Sequence, residues 1–296
     1  MRVDVQTLFS GGMLRIIDWR CVGHGPEPFG GEEWIDWPEV VVVRRGAFIR
    51  RSAGREFLID PGTVAFHEPD QGYRVRHPLG GDTCSAFQLT PVAAAELTLP
   101  PEAAEGDRRP VRFPRAVAPL DGRAFLQHRL ALQAARDPAS TPLEIEELAV
   151  GFLRAAIGSA SEPVPQRRST GRPSRQAAEY AARAREVVAL RFREPLTLGT
   201  IAREVGCSPF HLHRIVTAVA GVPLHRSVLR LRLRDALERL LATRDSISAI
   251  AYATGFASHS HLTDAFRREY GQAPTAVRRL AVRELRPLRA RAGVAS

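Results

Sequence analysis

Two short sets of side chains carry the groups needed to contact nucleic acid: Ser208, Phe210, His213 and Arg214, then His259, Ser260, Thr263, Asp264, Arg267 and Arg268. An arginine can fork onto guanine O6 and N7, an acid can accept from cytosine N4, and an aromatic ring can touch a thymine methyl. Hydroxyls bond bases or phosphates alike and specify little alone. Arg214 is therefore the expected guanine contact and Phe210 the thymine contact, while Arg267 and Arg268 are expected to clamp phosphate. The bland reading of Arg214 is a solvated side chain or an ion pair with Glu204. For His211 and His213 it is an inert exposed imidazole. Asp264 has two equal readings, a modifier of base preference or a partner of Arg267 or Arg268 one turn on.

Both sets lie inside a pattern written twice. Ile201, Ala202 and Gly206 recur as Ile250, Ala251 and Gly255, and Ser208, Leu212, Val216 and Gly221 recur 50 residues later as Ser258, Leu262, Phe266 and Gly271. One copy predicts a helix-turn-helix: a short helix, a glycine for the turn, and a serine capping a second helix. Pro209 suits the first position of that helix. Leu212 with Val216, and Leu262 with Phe266, share a face at i, i+4 and leave the opposite face free for a major groove. Between the copies, Leu224 to Ala242 reads as a helix with Leu229, Leu233, Leu237, Leu240 and Leu241 on a stripe. At 1.5 Å per residue it is about 28 Å long, close to the roughly 34 Å between successive major-groove faces. Phe256 reads as a core plug beneath the second turn.

At these residues the sequence resembles the DNA-binding domain of the AraC/XylS family of bacterial transcriptional regulators. The second copy carries the match through Ile250-Ala251-Tyr252-Ala253-Thr254-Gly255-Phe256, Ser258, Ser260, Leu262, Ala265-Phe266-Arg267-Arg268, Gly271, Pro274 and Arg278. The first carries it through Ile201-Ala202, Gly206, Ser208, Leu212, Arg214 and Gly221, with Arg232-Leu233 and Ala236 on the connector. The resemblance covers about a third of the chain, residues 180 to 280. Val216-Thr217 departs from the family's phenylalanine and basic residue, which puts one phosphate contact in doubt. Ser227 and Val277 replace a common tyrosine, and Asp264 a frequent arginine.

Charge divides the chain the same way without reference to any family. Residues 1 to 158 hold 18 arginines against 21 acids, whereas residues 159 to 296 hold 24 against 11, so the whole net charge of +10 arises in the C-terminal part. That part alone is suited to a polyanion. Every basic residue counted is arginine, which reflects a G+C-rich genome more than a recognition need.

The expected organisation is an α+β two-domain chain. Residues 1–158 form a cupin-like effector-binding and dimerisation domain, 159–175 a linker rich in proline, serine and glycine, 176–282 an all-α domain of two helix-turn-helix units joined by the long helix, and 283–296 a basic tail. A helix from about Gln176 to Phe192 opens the third segment, with Val187, Val188, Leu190, Leu196 and Leu198 as core. Upstream, strands are expected at Val40 to Val43, Ala47 to Arg50, Glu56 to Ile59, Thr63 to His67, Tyr73 to Arg76 and Cys84 to Leu89. The cupin-like barrel is what the family resemblance implies, with Leu58 to Phe66 as its turn and strand. Helices at about Gly122 to Arg136 and Pro142 to Ile157 follow, striped by Leu126, Leu130, Leu143, Leu148 and Leu153. Trp34, Trp37 and Phe48 fill the core or line a pocket.

The functional expectation is a sequence-specific transcriptional regulator controlled by a small effector, not an enzyme. The partners are double-stranded promoter DNA and the effector, with RNA polymerase and a homodimer as further candidates and no membrane. The alternatives are a sequence-tolerant architectural DNA binder and a metal-dependent cupin enzyme fused to a DNA-binding domain. The last is disfavoured because His24, His67, Glu68 and His77 are too sparse for the close His-x-His of a metal cupin. No cofactor and no metal are expected. Cys21, Cys84 and Cys207 form no paired motif, and without an apolar run near 20 residues or a signal peptide the chain is expected in the cytoplasm.

Overall fold

The computed structural model describes residues 2–23, 28–78, 80–98, 112–162, 174–220 and 223–283. Gly221, His24, most of the expected linker and the basic tail lie outside them. Contacts divide the chain into one unit of Met1–Ser161 with Arg267–Ser296, and a second of Glu162–Phe266.

The sheet-rich unit contains β1 (Arg2–Ser10), β2 (Leu14–Val22), β3 (Glu39–Gly46), β4 (Phe48–Ser52), β5 (Arg55–Ile59), β6 (Thr63–His67), β7 (Arg74–Arg76), β8 (Gly81–Leu89), helix α1 (Pro91–Thr98), β9 (Val117–Pro119), α2 (Gly122–Ala134) and α3 (Pro142–Ser161). One sheet runs β1-β2-β8-β3-β6-β9 and the other β5-β4-β7. All pairings in both are antiparallel.

Strand alternation sorts the side chains of the larger sheet. Register aligns Val41 with Ala86 and Ala65, and Val43 with Cys84. These residues join Ile17, Phe48 and Ile59 in one buried apolar cluster. The other parity, Val40, Val42, Val64, Phe66, Phe87 and Leu89, is also buried. It meets the helices: Phe87 stacks on Phe152 of α3 at 4.9 Å between centroids, and Ser85 hydrogen-bonds His128 Nε2 of α2 at 2.6 Å. Burial on both faces explains why β3 reads as an unbroken valine run instead of alternating with polar residues. Asp121 starts α2 by accepting from the Ala124 N–H at 2.8 Å.

All six expected strands form, but β1, β2 and the three-residue β9 are additional. β1 is exposed over most of its length, and β2 interrupts its apolar residues with Asp18 and Arg20, so neither has the buried pattern that marks a strand in sequence. Trp34 does not fill the core: it is 62% exposed. Leu143 is also exposed, because α3 turns Ile145, Ala149, Phe152 and Leu153 inward instead.

The helical region contains α4 (Arg175–Arg191), α5 (Leu198–Val205), α6 (Pro209–Ala220), α7 (Leu224–Ala242), α8 (Ile247–Ala253), α9 (His259–Tyr270) and α10 (Pro274–Arg283). The last turn of α9 and all of α10 are counted with the first unit. Ala181, Ala184 and Val188 of α4 pack with Ile201 and Val205 of α5, Leu212 and Val216 of α6, and Leu231 of α7. Leu190, an expected core residue, is exposed because it lies off the face carrying Ala181, Ala184 and Val188.

Candidate nucleic-acid interface

Each helix pair is built by the same local devices. Before α5, Thr197 and Thr200 cap reciprocally: Thr197 Oγ1 accepts from the Thr200 N–H at 3.1 Å and Thr200 Oγ1 from the Thr197 N–H at 3.0 Å. Before α8, Ser246 accepts from the Ala249 N–H at 3.1 Å. Gly206 and Gly255 then reverse the chain at φ 86° and 84°, where an L side chain is strained. The second helix of each pair starts on a serine. Ser208 Oγ accepts from the His211 N–H at 3.2 Å, and Ser258 Oγ from the His261 N–H at 3.1 Å.

Those starts fix the rotation of α6 and α9. Leu212, Val216, Leu262 and Phe266 are buried. Phe210 is 91% exposed, and His213 and Arg214 also face solvent. On α9, His259, Ser260, Asp264, Arg267 and Arg268 are exposed. Thr263 is only half-buried and its hydroxyl is cut off from solvent, so it does not present the outward oxygen expected of it. Ser208 is exposed, with its hydroxyl engaged in the cap.

Arg214 donates to His211 Nδ1 at 3.2 Å. Glu204, its alternative partner, is held by Arg191 instead. The Arg191 guanidinium is raised above its ordinary value by its hydrogen bond to Glu194, with the acid at 204 adding to the effect. Phe256 is buried and meets the edge of the His261 ring at 5.2 Å, as a plug beneath the turn requires.

The long helix α7 does more than space the two pairs. Arg232 donates from Nε to Phe192 O at 2.6 Å, from one terminal nitrogen to Gly255 O at 2.6 Å, and from the other to Glu194 O at 2.7 Å. One guanidinium thereby satisfies carbonyls from the exit of α4 and the turn after α8. Partial burial lowers its pKa, yet an arginine stays charged. Arg193 forks onto Asp235 at 2.8 and 2.9 Å, and that hydrogen bonding raises its pKa. Arg232 stands in the sequence as one arginine among several on the connector, and only the fold assigns it this joint.

A second site lies in the sheet-rich unit, where Trp19 and Cys21 of β2, Glu39 and Val41 of β3, His67 of β6 and Asp82, Cys84 and Ala86 of β8 border a pocket. Glu39, from β3, approaches His67 Nδ1 at 3.3 Å across the strand pair. Burial lowers the His67 pKa, against the opposing pull of Glu39. Burial also raises Glu33, which bonds Tyr73. His77 Nε2 lies 3.0 Å from Asp82 Oδ2, and Cys21 joins them. These residues come from distant segments without a short motif, so the sequence offers no signal for the grouping.

The helix-turn-helix domain family model matches residues 201–280. Among curated proteins, the transcriptional regulator GlxA of Rhizobium meliloti is 32% identical over 55% of this chain and 47% of its own. The transcriptional activator RhaS of Pectobacterium carotovorum is 34% identical over 29% of this chain and 31% of its own. The chain thus spans less than half the length of either relative. A solved structure of unsaturated fatty acid bound ToxT from Vibrio cholerae aligns over 94% of this chain and 97% of that one, at 12% identity and a TM-score of 0.34. The matched family, the regulators related to it and the residues of the repeat agree on one identification: the C-terminal segment 201–280 is an AraC-type helix-turn-helix domain.

Proposed function

We propose that the chain is a sequence-specific, DNA-binding transcriptional regulator whose α6 and α9 read adjacent stretches of major groove. The observation that carries this reading is the repeated device of glycine turn, serine cap and inward apolar pair, which leaves a polar, arginine-bearing face exposed on both helices. Ser208 at its cap with Phe210, His213 and Arg214 act from α6, and His259, Ser260, Asp264, Arg267 and Arg268 act from α9. The C-terminal excess of arginine supplies phosphate affinity, while base contacts supply discrimination.

The sheet-rich unit is, on this reading, a cupin-like effector domain, residues 1–158, joined through the segment 159–175 to the DNA-binding domain 176–282. Its pocket and the relatives' roles as regulators support a sensor and not an enzyme. The partners are double-stranded promoter DNA and a small polar effector, with RNA polymerase and a second copy of the chain as the others a promoter-bound regulator meets.

The test is selection of bound genomic fragments by the full chain, repeated with Arg214→Ala and His259→Ala. The expected result is one bipartite motif, with specific binding about a thousandfold or more above non-specific binding at fixed salt and each half weakened by its own variant. Uniform, purely salt-dependent enrichment would leave an architectural binder in its place.

A further inference from the structure

We propose that the pocket of the sheet-rich unit binds one divalent transition-metal ion of the zinc class through Cys21 Sγ, a His77 ring nitrogen and an Asp82 carboxylate oxygen. One donor atom from each lies within 4.8 Å of the other two. Zinc takes sulfur at about 2.3 Å and nitrogen or oxygen at about 2.0–2.2 Å in a tetrahedron. Tetrahedral bonds of that length separate donors by about 3.3–3.8 Å. The His77–Asp82 separation of 3.0 Å lies just below that spacing, and with every pair of donors within 4.8 Å no gap exceeds it by more than about 1 Å.

Three further observations point to a cation. Asp82 is 5% exposed, and both of its oxygens are sealed from solvent without accepting a hydrogen bond of good geometry. A carboxylate so placed needs compensating positive charge. The pocket is lined by Glu33, Glu39 and Asp82 with His67 and His77 as the basic groups among its described lining residues, while the buried Arg50 acts on Glu39 and His67 from outside that lining and leaves Asp82 without an arginine. The strands also preorganise the donors: Cys21 faces Asp82 in the β2–β8 register, and His77 follows directly on β7.

Mixed thiolate, imidazole and carboxylate donors suit zinc better than the all-oxygen cations. Three protein donors leave one position, and the pocket is where an exogenous donor would fill it. This assignment revises the sequence expectation of no metal, and it stands whether or not the helical domain reads DNA. The sequence-level search was for a close His-x-His, and this set uses a different chemistry drawn from three segments.

Cobalt(II) titration of the reduced, chelator-treated full chain tests the site. The expected result is one equivalent bound, a thiolate-to-cobalt charge-transfer band, tetrahedral d–d bands and reversal by zinc. Quenching of the pocket residue Trp19 should follow the same stoichiometry. Cys21→Ser should abolish the charge-transfer band, His77→Gln and Asp82→Asn should each weaken binding about tenfold or more, and Cys207→Ser should change nothing. Circular dichroism identifies folded variants, and the near-isosteric Asp82→Asn stands in if His77→Gln unfolds. A folded wild-type chain without stoichiometric binding, or a charge-transfer band that survives Cys21→Ser, overturns the assignment.

Discussion

Arg214 extends into solvent from α6 with His211 as its contact, so its removal takes little from the fold and much from the proposed interface. Arg214→Ala should weaken binding to the selected site by about 1–3 kcal/mol and relax preference at one base position. Fluorescence anisotropy on matched and altered duplexes would check this, and an equal loss on every sequence would make Arg214 a phosphate contact instead. His67 supports a prediction in pH. Its folded-state pKa lies below the ordinary 6.5 because the ring is buried. The unfolded chain therefore takes up the proton first on acidification, and stability present above the unfolded value is lost as pH falls from there towards the folded one. Glu33, raised by burial, acts with the opposite sign, so the comparison needed is wild type against His67→Gln, whose profile should be flatter. Trp19, Trp34 and Trp37 are the three tryptophans and all lie in the sheet-rich unit, so urea unfolding followed by their fluorescence reports on it alone.

At the scale of elements, two glycines with nearly equal backbone angles separate conformational strain from crowding. A Cβ at Gly206 would meet nothing within 4 Å, whereas at Gly255 it would lie 2.7 Å from Arg193 O and 3.0 Å from Arg232 Nε. Gly206→Ala should cost about 1–2 kcal/mol, the left-handed strain alone. Gly255→Ala should cost at least about 1 kcal/mol more, since the backbone carbonyl cannot step aside. Helical circular dichroism in urea would rank them, and equal losses would refute the crowding argument. Arg232→Lys should destabilise by about 2 kcal/mol or more, because a single ammonium cannot reach three carbonyls held in a guanidinium fork. A wild-type midpoint for that variant would show that the joint contributes nothing. The turns, caps and inward pairs around Ser208 and Ser258 were legible because each is written in a few consecutive residues. Arg232, the sealed hydroxyl of Thr263 and the exposure of Leu190 and Trp34 were not, since each depends on which distant element packs nearby. The pocket follows the same rule: Cys21, His77 and Asp82 meet only through strand register.

Across the whole molecule, charge is distributed so that the C-terminal part, proposed to bind DNA, is basic and the sheet-rich part nearly neutral. The logarithm of the binding constant for any duplex should therefore fall linearly with the logarithm of salt concentration, and Arg267→Ala should reduce that slope by about 1. A slope unchanged by the substitution would remove Arg267 from the phosphate contacts. Among the described residues no helix is long and apolar enough to cross a membrane. Strand β8 has a consequence of its own. Asp82, Cys84 and Ala86 border the pocket, while Ser85 and Phe87 hold α2 and α3 from the same backbone. A slip of one residue would turn phenylalanine into the pocket and acid into the helix layer together. Its pairing is thus proofread from two sides at once, and any ligand that shifts β8 at the pocket must also move the floor on which the helices rest.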